Sequence, residues 1–267
     1  AAERGISLVL PVANNWHDYG GAPAVVRMFA PERSDKDAFF DDPRCLAAQA
    51  SFIRHVVTRV NTVTGVRYGD DPTVFAWELC NEARLEGDGL WRRFRSKRHP
   101  GRTLATWAVA MRSAFDQAGA RQRVGWGGSG YSGDNGEDMD AVLATGAVDF
   151  ATLHLYPFVT HPRLLRVEPW HARAEEAVAV GSEVLRDRSA LARAHGVPLL
   201  VEELGWKTGA HTLQDERVQV MRGWLRAANA LGVGMLPWMI GERGRADYDG
   251  LLVRPEHQAL FALLAEG

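Results

Sequence analysis

Short apolar segments alternate along this chain with longer segments whose apolar residues recur at helical spacing. Six segments are predicted strands: 6–12, 73–79, 123–130, 148–156, 197–205 and 233–238. Helices are predicted at about 43–61, 103–118, 172–195, 213–230 and 255–266. Near-continuous apolar strands that are each followed by a helix favour a parallel sheet covered by helices.

Two architectures fit this alternation, a closed (β/α)8 barrel and an open doubly wound sheet. A doubly wound nucleotide fold carries a glycine-rich phosphate turn after its first strand. Here "VANNWHDYGG" stands at that position, and it contains neither GxGxxG nor GxxxxGK[ST]. The sequence therefore predicts an α/β fold of the (β/α)8 TIM-barrel type. We expect one domain, residues 1–267, with about six strand–helix units present.

Composition excludes several other classes of protein. The chain has 267 residues and a formal net charge of -2, which gives no electrostatic reason to expect a nucleic acid or a membrane as partner. Its two cysteines, Cys45 and Cys80, are too few for a disulfide framework or a metal cluster and are expected to be buried thiols. No stretch of about 18 uninterrupted apolar residues is present.

Polar and aromatic residues stand where the predicted strands end. They are Asn14, Asn15, Trp16, Asn81, Glu82, His154, Tyr156, Glu202, Glu203 and Trp238. Carboxylates at the ends of two strands suit glycoside hydrolysis, because one must protonate the leaving oxygen and the other must attack or activate water. Tryptophans at Trp16 and Trp238 can form an apolar floor for a sugar ring. The set predicts a glycosidase site at the carboxyl-terminal ends of the strands.

Each member of this set also has an ordinary structural interpretation. A glutamate that ends a strand is more often a cap partner or a surface group, and a lone histidine is more often a hydrogen-bonded core residue. Trp77 and Trp107 are expected to be core residues. Glu202 and Glu203 are adjacent, so strand alternation predicts that they point to opposite faces and that one of them enters the site. The set as a whole therefore carries more weight than any member.

Several motifs, in this order, resemble endo-β-1,4-mannanases of glycoside hydrolase family 5, a family of clan A. They are "NNWHDYGG", "FFDDPRCLAAQASFIRHVVTRVNTVTGVRYGDDPTVFAWELCNEAR", "VDFATLHLYP", "VEELGW" and "YDGLL". The resemblance runs from the first residue to about Leu251. It implies a retaining (β/α)8 glycosidase whose acid/base and nucleophile end strands four and seven.

The resemblance assigns the two catalytic roles residue by residue. Glu82 in "NEA" matches the acid/base, and Asn81 matches the amide beside it that binds a sugar hydroxyl. Glu203 in "ELG" matches the nucleophile, with Glu202 as its structural neighbour. A retaining mechanism predicts that the two catalytic carboxyls lie about 5 to 5.5 Å apart. No metal and no organic cofactor is required.

The remaining matches imply substrate-binding roles. The implied substrate-binding residues are Asn81, His154, Tyr156, Trp238, Asn14, Trp16 and Arg84. By resemblance, His154 lies beside the site, and the hydroxyl of Tyr156 contacts the nucleophile. Trp238 lies under the sugar in subsite -1, whereas Asn14 and Trp16 form a wall on the negative-subsite side. Arg84 matches the arginine that follows the acid/base.

The chain also departs from the family pattern. "GGSGY" places Ser129 where the family motif G-x-E-G has glutamate, so we expect a substrate or network contact to be missing. "AAERGISLVLPV" matches the end of helix two and strand three, so strands one and two would be absent. A barrel without them has two unpaired parallel edges, and on this basis we expect a truncated chain that is poorly stable and weakly active alone.

The expected partner is a β-mannan-type polysaccharide or oligosaccharide, with no nucleic acid or membrane, and the expected state is a monomer. Secretion is expected from the resemblance alone. Two alternatives stay open. An endo-β-1,4-glucanase of the same family would use the same catalytic pair, and an inactive carbohydrate-binding fragment would follow from the missing strands and Ser129.

Overall fold

The computed structural model describes residues 1–33, 35–85, 100–131, 136–156, 174–207 and 214–265. They form two compact units, Ala1–Thr152 and Leu153–Gly267. The first residues of two predicted helices, 172–173 and 213, lie outside the described residues, as does residue 266. The interpretation of residues 1–267 as a single catalytic domain stays a prediction.

Three strands in each of two sheets form the described β-structure. The first sheet has the order β1 (Leu8–Pro11), β2 (Val74–Glu78), β3 (Arg123–Gly125), and the second has the order β4 (Ala151–Leu155), β5 (Leu199–Leu204), β6 (Gly234–Met235). β1–β2, β2–β3 and β5–β6 are parallel pairs. All six predicted strands are confirmed among the described residues, with shorter bounds.

Helices follow each of these strands in the described part of the chain. They are α1 (Ala22–Phe29), α2 (Ala38–Asp41), α3 (Pro43–Thr58), α4 (Pro100–Ala118), α5 (Met139–Leu143), α6 (Ala174–Ala194), α7 (Gln214–Leu231) and α8 (Gln258–Ala265). Short 3-10 turns lie at Ala2–Arg4, Asp18–Gly20 and Tyr68–Asp70. None of the helices in the described ranges combines the length and apolar character that a membrane crossing needs.

Helix α3 shows how local sequence sets an element that supports the first unit. Asp42 caps its start by accepting the backbone N–H of Arg44 at 2.9 Å. Hydrogen bonds from the Arg44 side chain lower the pKa of Asp42 to about 2. The helix ends at Thr58 rather than at residue 61, and Val60 beyond it is 53% exposed, so the predicted end of this helix was wrong.

Aromatic residues fill the core of the first unit. Trp77 and Trp107 are 2% and 0% exposed, which confirms that both are core residues. The Trp107 ring meets Phe40 edge to face at 5.1 Å, and the Trp77 ring lies 6.0 Å from Phe115. The first contact packs α4 against α2, and the second packs α4 against β2.

The second unit is packed around two tryptophans. The rings of Trp206 and Trp224 meet edge to face at 6.1 Å, and both are fully buried. The indole Nε1 of Trp224 donates to the carbonyl of Ala177 at 3.0 Å, which ties α7 to α6. Gly181 faces the Trp224 ring so closely that a Cβ at this position would overlap the indole. This core supports β5, whose end carries two adjacent glutamates.

Candidate active site

In the first unit, the loops after β1 and β2 are joined by two asparagines. Asn14 and Asn81 form an isolated parallel bridge, and Nδ2 of Asn81 donates to Oδ1 of Asn14 at 3.0 Å. The same Oδ1 accepts the backbone N–H of Trp16 at 3.3 Å. Two residues predicted from different strand ends therefore meet, and together they fix the backbone on which Trp16 and Glu82 stand.

The backbone of Glu82 adopts a conformation that is rare for its residue type. Its φ is 54°, in the left-handed region that residues with a Cβ seldom occupy. The N–H of Glu82 donates to the carbonyl of Gly127 at 2.6 Å, so the loop after β3 holds this conformation in place. Non-glycine residues with this strain cluster at functional sites, where the surrounding structure imposes it.

The Glu82 carboxylate receives a short hydrogen bond from Trp16, whose Nε1 lies 2.6 Å from Oε2. Two cations lie over the same indole ring: Cζ of Arg84 is 4.4 Å and Nζ of Lys36 is 5.3 Å from its centroid. Both distances allow a cation–π interaction. Trp16 therefore contacts Glu82 by its edge and two cations by its faces. Its predicted role as a wall of the negative subsites stays a prediction.

Ser129, which stands where the family motif has glutamate, is hydrogen-bonded to a carboxylate. Its hydroxyl donates to Glu137, which is 0% exposed, and Oε2 of Glu137 accepts the backbone N–H of Tyr131 at 3.4 Å. Gly136 lies beside Glu137 and its carbonyl accepts the N–H of Leu85 at 3.1 Å. A carboxylate is thus present near Ser129, supplied by a residue eight positions further along the chain. Backbone carbonyls of Gly127 and Gly136 accept the N–H groups of Glu82 and Leu85, so the segment that carries Glu82 is held at two points.

In the second unit, Tyr156 is hydrogen-bonded to one of the two adjacent glutamates. Its phenolic oxygen donates to Oε2 of Glu203 at 2.9 Å. The same oxygen of Glu203 lies 3.5 Å from Nδ1 of His154, which is 2% exposed. β4 supplies His154 and is followed by Tyr156, and the neighbouring β5 supplies Glu203. The structure therefore brings together three of the predicted residues from two strand ends.

Glu202 approaches the other nitrogen of the same imidazole ring, with its Oε2 3.7 Å from Nε2 of His154. Its side chain is 8% exposed, against 15% for Glu203. Adjacent residues thus reach different atoms of one ring. The expectation that the two side chains point to opposite faces and that one of them enters the site stays a prediction.

Trp238 lies after β6, and its backbone N–H donates to the carbonyl of Leu204, the residue after Glu203, at 2.9 Å. The indole Nε1 donates to Oδ2 of Asp249 at 3.2 Å. Tyr248 beside Asp249 is exposed to solvent. Asp249 belongs to the "YDGLL" motif, which carried no assigned role in the sequence.

Four further residues were not found from the sequence: two contact members of the predicted set, Trp16 and Trp238, and two contact Ser129 or the backbone of the "YDGLL" motif. They are Lys36, Glu137, Asp249 and Arg217. Asp249 and Glu137 each lie within or close to a segment that the motifs had marked. No sequence motif marks Lys36 or Arg217, because a lone basic residue in a loop or helix is most often an ordinary surface charge.

A sequence model of the family described as "GH family 5 beta-mannosidase-like" matches residues 2–226. The chain belongs to this family. Two relatives from Oryza sativa subsp. japonica show the extent of the likeness. "Mannan endo-1,4-beta-mannosidase 3" is 34% identical over 78% of this chain and 46% of its own length, and "Putative mannan endo-1,4-beta-mannosidase 5" is 31% identical over 99% and 57%.

Among solved structures, an endo-1,4-beta-D-mannanase from Thermotoga petrophila is 28% identical, with a TM-score of 0.83 over 100% of this chain and 76% of that one. An endo-1,4-beta-mannanase from Rhizomucor miehei, at 24% identity and a TM-score of 0.77, shares the fold. With the parallel strands and alternating helices, these matches confirm the predicted (β/α)-barrel fold class in partial form. The chain spans about half the length of the curated relatives it matches.

Proposed function

We propose that this chain carries the catalytic residues of a retaining endo-glycosidase that hydrolyses β-1,4-mannosidic bonds in mannan, glucomannan or galactomannan. Membership of the family and the names of its relatives support the substrate class. The proposal assigns acid/base catalysis to Glu82 and nucleophilic attack to Glu203. Neither role requires a metal ion or an organic cofactor.

The observation that carries the assignment is the hydrogen bond from Tyr156 to Oε2 of Glu203 at 2.9 Å. A phenolic donor on a carboxylate holds one oxygen in place and leaves the other available for attack. Among the described residues, Glu202 has no hydrogen-bond partner on either carboxylate oxygen. The donor therefore distinguishes Glu203 from its neighbour, and it favours Glu203 as the nucleophile.

The proposed first step forms a bond between Glu203 and the anomeric carbon as the glycosidic C–O bond breaks. Glu82 gives its proton to the departing oxygen, so the leaving chain departs as an alcohol. In the second step, water attacks the anomeric carbon and displaces Glu203, while Glu82 takes the water proton. Two inversions give net retention, and the geometry proposed for this mechanism is a carboxyl separation of about 5 to 5.5 Å.

The neighbouring residues are proposed to bind and orient the sugar. Asn81 is suited to donate to a ring hydroxyl, since its side chain is already oriented by Asn14. Trp238 offers an apolar ring face as the floor of subsite -1. Arg84 lies against Trp16 at the same end of the loop as Glu82, where its guanidinium can bind hydroxyl groups of the leaving chain.

Hydrolysis assays test the proposal. The chain and the complete encoded protein are incubated with galactomannan, glucomannan and carboxymethylcellulose, and released reducing ends are measured. We expect release from the two mannans, with loss of at least about a thousandfold in Glu203→Ala and Glu82→Ala. Glu202→Gln is the matched control and should keep most of the activity.

Other outcomes identify the alternatives. Release from carboxymethylcellulose alone would make the protein a glucanase, with the same catalytic pair. Binding to mannan without release from any substrate, even by the complete protein, would make it a carbohydrate-binding protein. Equal loss in the Glu202 and Glu203 variants would remove the distinction on which the nucleophile assignment rests.

We further propose a secreted monomer. A polymeric mannan cannot cross a membrane, so an enzyme that acts on it must meet it outside the cell. Activity in the culture medium rather than in washed cells supports secretion, and the reverse contradicts it. Sedimentation equilibrium at the mass of one chain supports a monomer, and a doubled mass contradicts it.

A further inference from the structure

Arg217 in α7 is a charged residue without exposure to solvent. It is 0% exposed, and its guanidinium donates through Nη1 to the carbonyl of Leu252 at 3.1 Å and through Nη2 to the carbonyl of Leu251. Arginine is seldom fully buried unless its donors are paired. Burial lowers its pKa to about 10, although Asp247 and Asp249 act in the opposite direction. This buried cation therefore holds the backbone of the loop that contains Leu251 and Leu252.

That loop, residues 247–252, is held together by its own two aspartates. Oδ1 of Asp247 accepts the backbone N–H of Gly250 at 2.8 Å and that of Leu252 at 3.4 Å. Oδ1 of Asp249 accepts the N–H of Leu251 at 3.0 Å. These are side-chain turns that fix the loop without a helix or strand. One oxygen of Asp249 is thus used inside the loop, and the other is directed outward.

The outward oxygen, Oδ2 of Asp249, accepts the indole N–H of Trp238 at 3.2 Å. The backbone of Trp238 is held separately, since its N–H donates to Leu204. After the loop, the N–H of Val253 donates to the carbonyl of Met239 at 2.8 Å, so the returning chain runs beside the segment that follows Trp238. Backbone bonds fix where Trp238 lies, whereas Asp249 fixes how its ring is turned.

We propose that Asp249 is a positioning residue for the Trp238 indole and that Arg217 acts through the loop to hold Asp249 in place. The proposal rests on the proposed function, in which Trp238 is the floor of subsite -1. A ring that is locked before substrate arrives loses less rotational freedom on binding, and it meets the sugar in one orientation. Arg217 and Asp249 therefore contribute to substrate binding without touching the sugar.

A double-mutant cycle separates this role from a purely structural one. In the Trp238 background, we expect Asp249→Ala to lower kcat/KM on mannan by about tenfold, mostly through a higher KM. In a Trp238→Phe background, which has no indole N–H, the same substitution should lower it by less than about twofold. Equal losses in both backgrounds would show that Asp249 only supports the loop and would overturn the proposal.

A second measurement needs no activity, so its failure can be told from failure of the proposed function. Indole N–H resonances of the 15N-labelled protein are recorded, and that of Trp238 is assigned by its loss in Trp238→Phe. Asp249→Ala should shift this resonance and broaden it. An unchanged Trp238 resonance in Asp249→Ala would contradict the proposed hydrogen bond, whether or not the protein hydrolyses mannan.

The role of Arg217 is tested on the same resonance. Arg217→Lys keeps a charge but lacks the planar fork whose two nitrogens reach the two carbonyls, so we expect the Trp238 signal to shift in the same direction as in Asp249→Ala. Arg222→Lys in the same helix is the matched control, because Arg222 is exposed, and it should leave the signal unchanged. A folded Arg217→Lys with the wild-type signal would remove Arg217 from the proposal and confine it to Asp249.

Discussion

The indole Nε1 of Trp16 lies 2.6 Å from Oε2 of Glu82, in hydrogen-bonding contact with the carboxylate proposed as acid/base. The resemblance implied that Trp16 forms a wall on the negative-subsite side, and this stays a prediction. The edge of its ring fixes one oxygen of Glu82, while Arg84 and Lys36 lie over the ring. Trp16 therefore orients the carboxylate proposed as acid/base, a contact that the motif alone did not reveal.

Removing the N–H of Trp16 tests this contact. Trp16→Phe keeps an aromatic ring for the two cations but removes the donor to Glu82. Hydrogen bonds to charged groups contribute about 1.5 to 3 kcal/mol, so we expect kcat/KM on mannan to fall by about tenfold or more. Trp77→Phe is the matched control, because Nε1 of Trp77 donates to Oε1 of Gln122 at 3.0 Å, away from Glu82. A comparable fall in both variants would point to a general loss of stability.

Tyr156 gives a second prediction, on the nucleophile. Tyr156→Phe removes the O–H that donates to Glu203 and leaves the ring in place. We expect kcat to fall by about tenfold to a hundredfold with a small change in KM, because the substitution leaves the sugar-binding surface intact. Tyr68→Phe, in a 3-10 turn, is the control and should keep wild-type kcat. A rise in KM with unchanged kcat would assign Tyr156 to substrate binding instead.

The left-handed backbone conformation of Glu82 predicts that this residue lowers the free energy of unfolding relative to glycine at the same position. A residue with a Cβ costs about 1 kcal/mol more than glycine in this region. Both Glu82→Gly and Glu82→Ala should abolish hydrolysis, but the glycine variant should have the larger free energy of unfolding, by about 1 kcal/mol. Urea titrations of the two variants provide the comparison. An alanine variant as stable as the glycine variant would show that no strain is stored at this position.

His257 predicts a dependence of stability on pH. Burial, followed by the charge of Arg217, lowers its pKa from 6.5, and its Nδ1 accepts the backbone N–H of Arg254 at 3.2 Å. The unfolded chain therefore binds a proton at a higher pH than the folded chain. The contribution of His257 is complete above about pH 6.5, and it is lost as the pH falls through the lowered pKa.

The corresponding measurement is the free energy of unfolding between about pH 7 and pH 5. We expect it to decrease on acidification, and His257→Asn, which keeps an acceptor but cannot take up a proton, should make the decrease smaller. His55→Asn, on the exposed side of α3, is the control and should leave the slope unchanged. The same slope in wild type and His257→Asn would exclude His257 as the source.

The alternation of apolar strands and helices was sufficient to predict a parallel sheet covered by helices, because each strand is short, apolar and followed by a helical period. The choice of a barrel needed the further observation that no glycine-rich phosphate turn follows the first strand. Element ends were less predictable. Helix α3 was expected to continue to residue 61, yet it ends at Thr58, and its buried residues include the polar Gln49. A buried glutamine is stable there because it accepts from Trp107 and donates to the carbonyl of Phe39, and these long-range partners are not visible in a local pattern.

The candidate site was predictable where chemistry and position coincide. Glu82 and Glu203 follow apolar strands, and carboxylates there are unusual enough to mark a site. The contact between Tyr156 and Glu203 was implied by the resemblance and is present. Other supporting contacts were not predictable, because they join distant parts of the chain. Trp16 reaches Glu82 across 66 residues, and Arg217 reaches Leu252 across 35. Their residue types are also compatible with ordinary surface or core positions.

Covalent trapping identifies the nucleophile itself. A 2-deoxy-2-fluoro-β-mannoside with a good leaving group slows both chemical steps, and the second more than the first, so a glycosyl-enzyme accumulates. The complete encoded protein is inactivated with this reagent, digested and analysed by mass spectrometry. Double displacement by Glu203 predicts one labelled peptide, with the sugar attached to Glu203. A label on Glu202, or no label on a protein that hydrolyses mannan, would contradict it.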